Sequence, residues 1–235
     1  MFELQTVAVG FHDIHKLICG FPKTGKTTLA SHLEKDGKPP AFVMTEDGHK
    51  ALGIHAERVR SWEEFALVKA EVVAKAKEFR ATHSGLVLDL VKEIEEFAVS
   101  YIQRQFRVQH ISEIPHGKGY ALARDLFRGA VKDLQNVTPV TFLAHAKERE
   151  IDHQGETLTM LAPDLTPSGL EFVAAKSDAI AYIVPGTRSQ PPRLTFRPTA
   201  RLMAGSRFRS LTKEDFVFDP ANPAQAVADM ARAMA

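Results

Sequence analysis

Short apolar runs along the chain alternate with longer stretches in which apolar positions recur every three or four residues. The short runs read as strands buried on both faces, and the longer stretches as amphipathic helices. Lys16-Leu17-Ile18-Cys19 is the first expected strand. A helix over about 27–35 follows it, ended by Gly37 and Pro39-Pro40. Ala41-Phe42-Val43-Met44-Thr45 is a second buried strand. Ser61-Trp62-Glu63-Glu64 has the form of a capping box, and Trp62, Phe65, Val72, Ala76 and Phe79 predict one long helix behind it. Gly85 precedes a third strand, Leu86-Val87-Leu88-Asp89. The next helix carries Ile94, Ala98, Tyr101 and Ile102. Residues 111–119, with Pro115, Gly117 and Gly119, read as a loop. Leu122, Leu126, Phe127, Ala130, Val131 and Leu134 mark a further amphipathic helix, and Pro139-Val140-Thr141-Phe142-Leu143-Ala144 a fourth buried strand whose first residue tolerates proline.

After residue 145 the texture changes. Residues 146–158 are polar and read as a loop. Thr166-Pro167 starts a helix, with Thr as cap and Pro in the first turn. Residues 178–184 and 194–197 read as two strands joined by a turn containing Pro and Gly, and residues 223–235 as an Ala-rich helix. The alternation predicts an α/β fold, a mainly parallel sheet with helices on both faces. Neither a repeat nor a linker divides residues 1–235, so one domain with a short C-terminal helical tail is expected.

Composition narrows the possible partners. The 235 residues include 30 Lys+Arg and 29 Asp+Glu, a formal net charge of +1, so contact with a polyanion has to come from a local patch. The 44% hydrophobic content is that of an ordinary folded domain. A single cysteine, Cys19, provides neither an internal disulfide nor a Cys-based zinc site. No apolar run approaches the roughly 20 residues needed to cross a bilayer. Residues 1–5 lack the basic and apolar regions of a secretion signal, which leads to an expectation of a cytoplasmic protein.

One motif carries chemistry. Gly20-Phe21-Pro22-Lys23-Thr24-Gly25-Lys26-Thr27 matches G-x-x-x-x-G-K-[ST], between an expected strand and an expected helix. Glycines let the backbone curl so that successive N–H groups face phosphate oxygens. Lys26 is placed for the β- and γ-phosphates of ATP, Thr27 for Mg²⁺, and Thr28 for the region of the α-phosphate. Asp89 closes an apolar run where a second Mg²⁺-holding acid belongs, at the carboxyl end of a strand beside the loop strand. Glu46 and Asp47 close another such run. A carboxylate there can polarise an attacking water, and Glu46 is the expected catalytic acid/base. The bland reading of the pair is an acidic turn before Gly48. His145 follows the fourth strand, where a side chain can sense the γ-phosphate and pass its state onward. Arg188, Arg193, Arg197, Arg201, Arg207 and Arg209 gather late in the chain. They are either a solvated basic face or the source of an arginine supplied to a neighbour's nucleotide.

In order, these features resemble the RecA-like P-loop ATPases, and most of all the short phage-encoded members associated with single-strand annealing and recombination. The resemblance rests on residues 20–28, 41–48, 86–89 and 141–145. It implies a Mg²⁺-dependent ATPase with Glu46 as catalytic glutamate and His145 as nucleotide sensor. It also implies single-stranded DNA bound by residues 146–158, where Lys147, Arg149 and His153 lie. A homo-oligomer, ring or filament, and a single-strand-binding protein are the partners it implies. Leu90 stands where family members often carry a small hydroxyl residue after the Mg²⁺ acid. The same loop serves two other functions: a small-molecule kinase, and a nucleotide-regulated module that loads a partner.

Overall fold

The computed structural model describes residues 9–46, 52–153 and 156–235. The elements in chain order are β1 (Lys16–Gly20), α1 (Lys26–Ser31), β2 (Ala41–Met44), β3 (His55–Arg58), α2 (Trp62–Ala74), α3 (Ala76–Thr82), β4 (Leu86–Asp89), α4 (Val91–Phe106), α5 (Lys118–Gln135), β5 (Val140–His153), β6 (Glu156–Pro163), α6 (Pro167–Lys176), β7 (Ala179–Val184), β8 (Arg193–Thr195), β9 (Gly205–Ser206), β10 (Phe216–Val217) and α7 (Pro223–Met234). The main sheet runs β10-β8-β7-β1-β5-β4-β2-β3. From β7 to β3 every neighbouring pair is parallel, and β8 and β10 add an antiparallel edge.

Two cores, one on each face of the sheet, explain the unbroken apolar runs. Leu17, Val43, Leu88 and Phe142 face a cluster with Phe65 of α2, Ile94 of α4, Phe127 of α5 and Phe172 of α6. Their chain neighbours Ile18, Phe42, Val87 and Leu143 face the other cluster, with Leu29 of α1 and Val227 of α7. A strand packed on both sides has no polar face to display. The expected α/β fold, with a mainly parallel sheet and helices on both faces, is therefore the observed one.

Several boundaries differ from expectation. The first helix is Lys26–Ser31, shorter than 27–35. The long helix breaks at Lys75, whose φ of −102° and ψ of 32° are not helical, leaving α2 and α3. At the start of α2, Ser61 Oγ accepts the Glu64 N–H (3.2 Å), while the Glu64 carboxylate reaches the Arg60 N–H (2.7 Å). β3 went unexpected because all four of its residues are exposed on the sheet edge, so no apolar run marks it. Residues 146–158 are no loop. β5 continues past the sheet and turns back as β6, in antiparallel register from Ala146↔Pro163 to His153↔Glu156. Lys147, Glu148 and Glu150 look out on solvent, and that hid the strand. The helical tail over 223–235 is present as α7, packed against α1.

At the opposite end of β1 from the phosphate loop, Lys16 is 3% exposed. Its Nζ donates to the Ile14 carbonyl (2.7 Å) and lies 5.1 Å from the centre of the Phe11 ring. Burial pushes this ammonium down to about 7, against the pull of Asp13 and Asp178. Unfolded, the same lysine titrates near 10.4. The folded state therefore carries a penalty that is complete below pH about 7 and fades as pH rises towards 10. Lys16→Met is expected to raise unfolding free energy by about 1–4 kcal/mol at pH 7. Its advantage over the parent should shrink at pH 9, as read by denaturant midpoints at both pH values.

Candidate functional site

Strand order reverses beside β1. The chain leaves β1 for β2 on one side and later returns to β7 on the other. Crevices outside the carboxyl ends of strands at such a point are where open α/β sheets take ligands. Here a cavity of about 530 Å³ opens, lined by the phosphate loop from one side and by Met44, Glu46, Asp89 and His145 from the other.

The loop between β1 and α1 holds itself in shape. Thr24 Oγ1 donates to the Phe21 carbonyl (2.8 Å), and Gly25 caps α1 with φ 89° and ψ 19°. Lys23 is also left-handed, at φ 63°. A Cβ at Gly20 would come 2.8 Å from Thr24 Oγ1, so the turn needs glycine there. Pro22, Lys23, Gly25, Lys26, Thr27 and Thr28 line the cavity. The Phe21 ring stands against Tyr182 instead, edge to face at 6.5 Å.

Lys26 is buried, and its Nζ donates to the carbonyls of Gly20 (3.1 Å) and Phe21 (2.9 Å). It also lies 3.1 Å from His145 Nδ1. The lysine has no acceptor role, so Nδ1 takes this bond and the ring proton sits on Nε2. Burial first, then the Lys26 charge, holds the His145 imidazole below its usual value and keeps it neutral near pH 7. Lys26 is itself lowered by burial, with Asp89 as the largest opposing influence.

Thr27 Oγ1 donates to Asp89 Oδ2 (2.7 Å). This pair forms although β4 does not adjoin β1, as had been expected; β5 lies between them. Burial raises the Asp89 carboxyl, and the Thr27 hydroxyl and Lys26 work against that. A hydroxyl and a carboxylate oxygen side by side fit the hard-oxygen coordination of Mg²⁺, whose other positions go to water and phosphate. Among the described residues, no group of three or more His, Cys, Asp or Glu is placed to hold a metal by itself.

Glu46 stands at the rim of the cavity and is exposed. Its charge is felt at Lys26, Asp89 and His145 alike. Asp47 and Gly48 lie outside the described residues. Two neighbours of Glu46 carried no signal in the sequence. Thr45 Oγ1 donates to the Asp89 carbonyl (3.2 Å) and accepts the Leu90 N–H (3.0 Å), tying the end of β2 to the end of β4. Glu93, in the first turn of α4, is raised by burial and then by Glu96 and Glu46. Their chain positions, one residue before Glu46 and four after Asp89, are the only pointers a reader of the sequence has.

The basic residues sort into two groups. The Arg149 guanidinium donates to the carbonyls of Leu165 and Pro163, so it fastens the base of the β5–β6 hairpin. Lys147 is exposed and 3.8 Å from Asp164, which Lys92 holds at 2.8 Å. Arg193 and Arg197 share Asp215, and Arg207 pairs with Asp178. Arg188, Arg201 and Arg209 are exposed, with no side-chain partner among the described residues. Only these three of the late arginines remain uncommitted.

The family model of the AAA domain matches residues 12–208. The chain belongs to the AAA domain family. No curated protein matches it. Membership brings a nucleotide-binding, ATPase-type domain, in agreement with the loop and the sheet described above. No helix among the described residues is long and apolar enough to cross a membrane.

The Thr27–Asp89 pair leads to an expected outcome. Asp89→Asn keeps the size and the hydroxyl contact but removes the charge. It should raise the Mg²⁺ concentration for half-maximal ATP binding by about tenfold or more, whereas Thr45→Val, which only loosens the strand end, should shift it by about threefold or less. Titrations of a fluorescent ATP analogue at fixed free Mg²⁺ check both.

Proposed function

We propose that this AAA domain is a Mg²⁺-dependent ATPase that works on single-stranded DNA in recombination or annealing, as a homo-oligomer. The observation that supports this reading best is the position of His145. It touches the phosphate-loop lysine and is the last residue of β5 paired to β1 before that strand continues as the hairpin. A change of partner at Lys26 thus acts directly on the one strand that leaves the sheet.

The division of labour follows from the geometry. Loop amides and Lys26 would hold the β- and γ-phosphates, and Lys26 would offset charge growing on them during transfer. Thr27 and Asp89 would hold Mg²⁺, which supplies charge neutralisation when bound. Glu46, exposed at the cavity rim, would orient a water and take its proton. His145 would lose its bond from Lys26 when the ammonium turns to phosphate, and so report occupancy. Exposed Lys147 on the hairpin would meet the DNA backbone, a contact that is weak singly and sensitive to salt. Arg188, Arg201 and Arg209 are the arginines left to act on a neighbour's nucleotide.

The test is ATP hydrolysis with and without single-stranded DNA. Lys26→Ala should reduce turnover to background in a folded chain. Glu46→Gln should lower kcat about a hundredfold and leave ATP affinity within about threefold. Lys147→Glu should weaken single-stranded DNA binding and spare ATP binding, while Arg149→Ala should loosen the hairpin and lower stability. Turnover that ignores DNA but rises with a small phosphate acceptor would replace this reading by a kinase; nucleotide binding without turnover would replace it by a partner-loading switch.

A further inference from the structure

The family match ends at residue 208, yet the chain beyond it folds back onto the nucleotide end of the sheet. β10 pairs with β8, and α7 sets Ala226, Val227 and Met230 beside Leu29, Ala30 and Leu33 around α1. Phe218, between β10 and α7, is fully buried. Its ring fills the space beside Gly25: a Cβ built there would lie 2.8 Å from both Cε1 and Cζ of Phe218. Gly25 is thus constrained twice, by a left-handed φ of 89° and by an aromatic ring against its Cα. The Phe218 N–H donates to the Pro192 carbonyl (2.8 Å), which ties the main chain at Phe218 to the residue before β8.

The loop needs such a support. Phe21, Pro22 and Lys23 are exposed, and among the described residues the Phe21 ring has only an edge-to-face contact with Tyr182, so the middle of the turn is lightly packed. α1 has six residues, too few to hold its own first turn. Glycine at its cap has more conformations to lose than any other residue. Each conformation excluded before the ligand arrives is one that binding does not have to exclude.

We propose that Phe218 is a positioning residue for nucleotide: its ring holds Gly25 in the left-handed turn that points the loop amides at phosphate, so the segment beyond the family match sets nucleotide affinity. The proposal rests on the nucleotide-binding reading of the cavity. Phe218 touches no reacting atom, and its influence belongs to binding, not to the chemical step. Linkage runs both ways, so nucleotide in the loop must steady Phe218 in return.

The experiment begins with the parent chain and a fluorescent ATP analogue in Mg²⁺. No binding there overturns the nucleotide reading, and this proposal with it. With binding in the parent, Phe218→Leu should raise Kd and KM about tenfold and leave kcat within about twofold. Val227→Ala, which thins the same C-terminal packing away from the loop, should lower Tm comparably and leave Kd within about twofold. Equal affinity in parent and Phe218→Leu overturns the proposal, as does an equal loss in Val227→Ala. The unmodified chain provides a reading that needs no variant to fold. Amide exchange at Phe218 should slow about tenfold or more when ADP saturates the site, and unchanged exchange with ADP bound overturns the proposal.

Discussion

A buried ammonium sets the terms for the nucleotide end of this sheet. Lys26 is withdrawn from water where β1 and β4 end and β5 leaves the sheet, and a charge in that position needs acceptors on every side. Two are carbonyls of its own loop, and the third is the imidazole of His145. The Asp89 carboxylate, tied to Thr27 one residue along, adds a compensating field. His145 and Asp89 are where they are because of the parallel register of β1 with β5 and of β5 with β4, which brings Gly20 level with His145 and Leu143 level with Asp89. A slip of one residue would point each of these side chains to the opposite face.

The interior strands were legible because burial on both faces leaves short apolar runs, bounded here by glycine, proline and acidic residues. The phosphate loop was legible because its glycines answer to backbone geometry: Gly25 is left-handed and Gly20 has no room for a Cβ. Asp89 could be placed by the strand it ends, and His145 by the apolar run it follows. Illegible were the segments whose order comes from hydrogen bonding instead of burial. β3 is wholly exposed, and β5 beyond residue 145 carries Lys147, Glu148 and Glu150 out to water. Thr45 also escaped notice, since a hydroxyl bridging two strand ends has no spacing to betray it.

Side-chain charge misled in a related way. Arg149 looked available for a ligand in the sequence, but its guanidinium donates to the Leu165 and Pro163 carbonyls in the turn from β6 to α6. Arg193, Arg197 and Arg207 are likewise taken up by Asp215 and Asp178. A near-neutral chain can thus commit cations that look free in its sequence to structural ion pairs and hydrogen bonds.

β5 has a mechanical consequence. Its 14 residues, from Val140 to His153, contain neither glycine nor proline, and they pass from the main sheet into the β5–β6 hairpin without a joint. Beyond His145 the strand spans eight residues, a reach of about 26 Å at the rise of an extended chain. A tilt of about 10° at its root would carry the far end roughly 4–5 Å. The hairpin is a stiff arm rooted beside the phosphate loop and braced near that root by Arg149 and by backbone bonds between Leu161 and residues 201–203, so an adjustment at the root carries the braced segment with it.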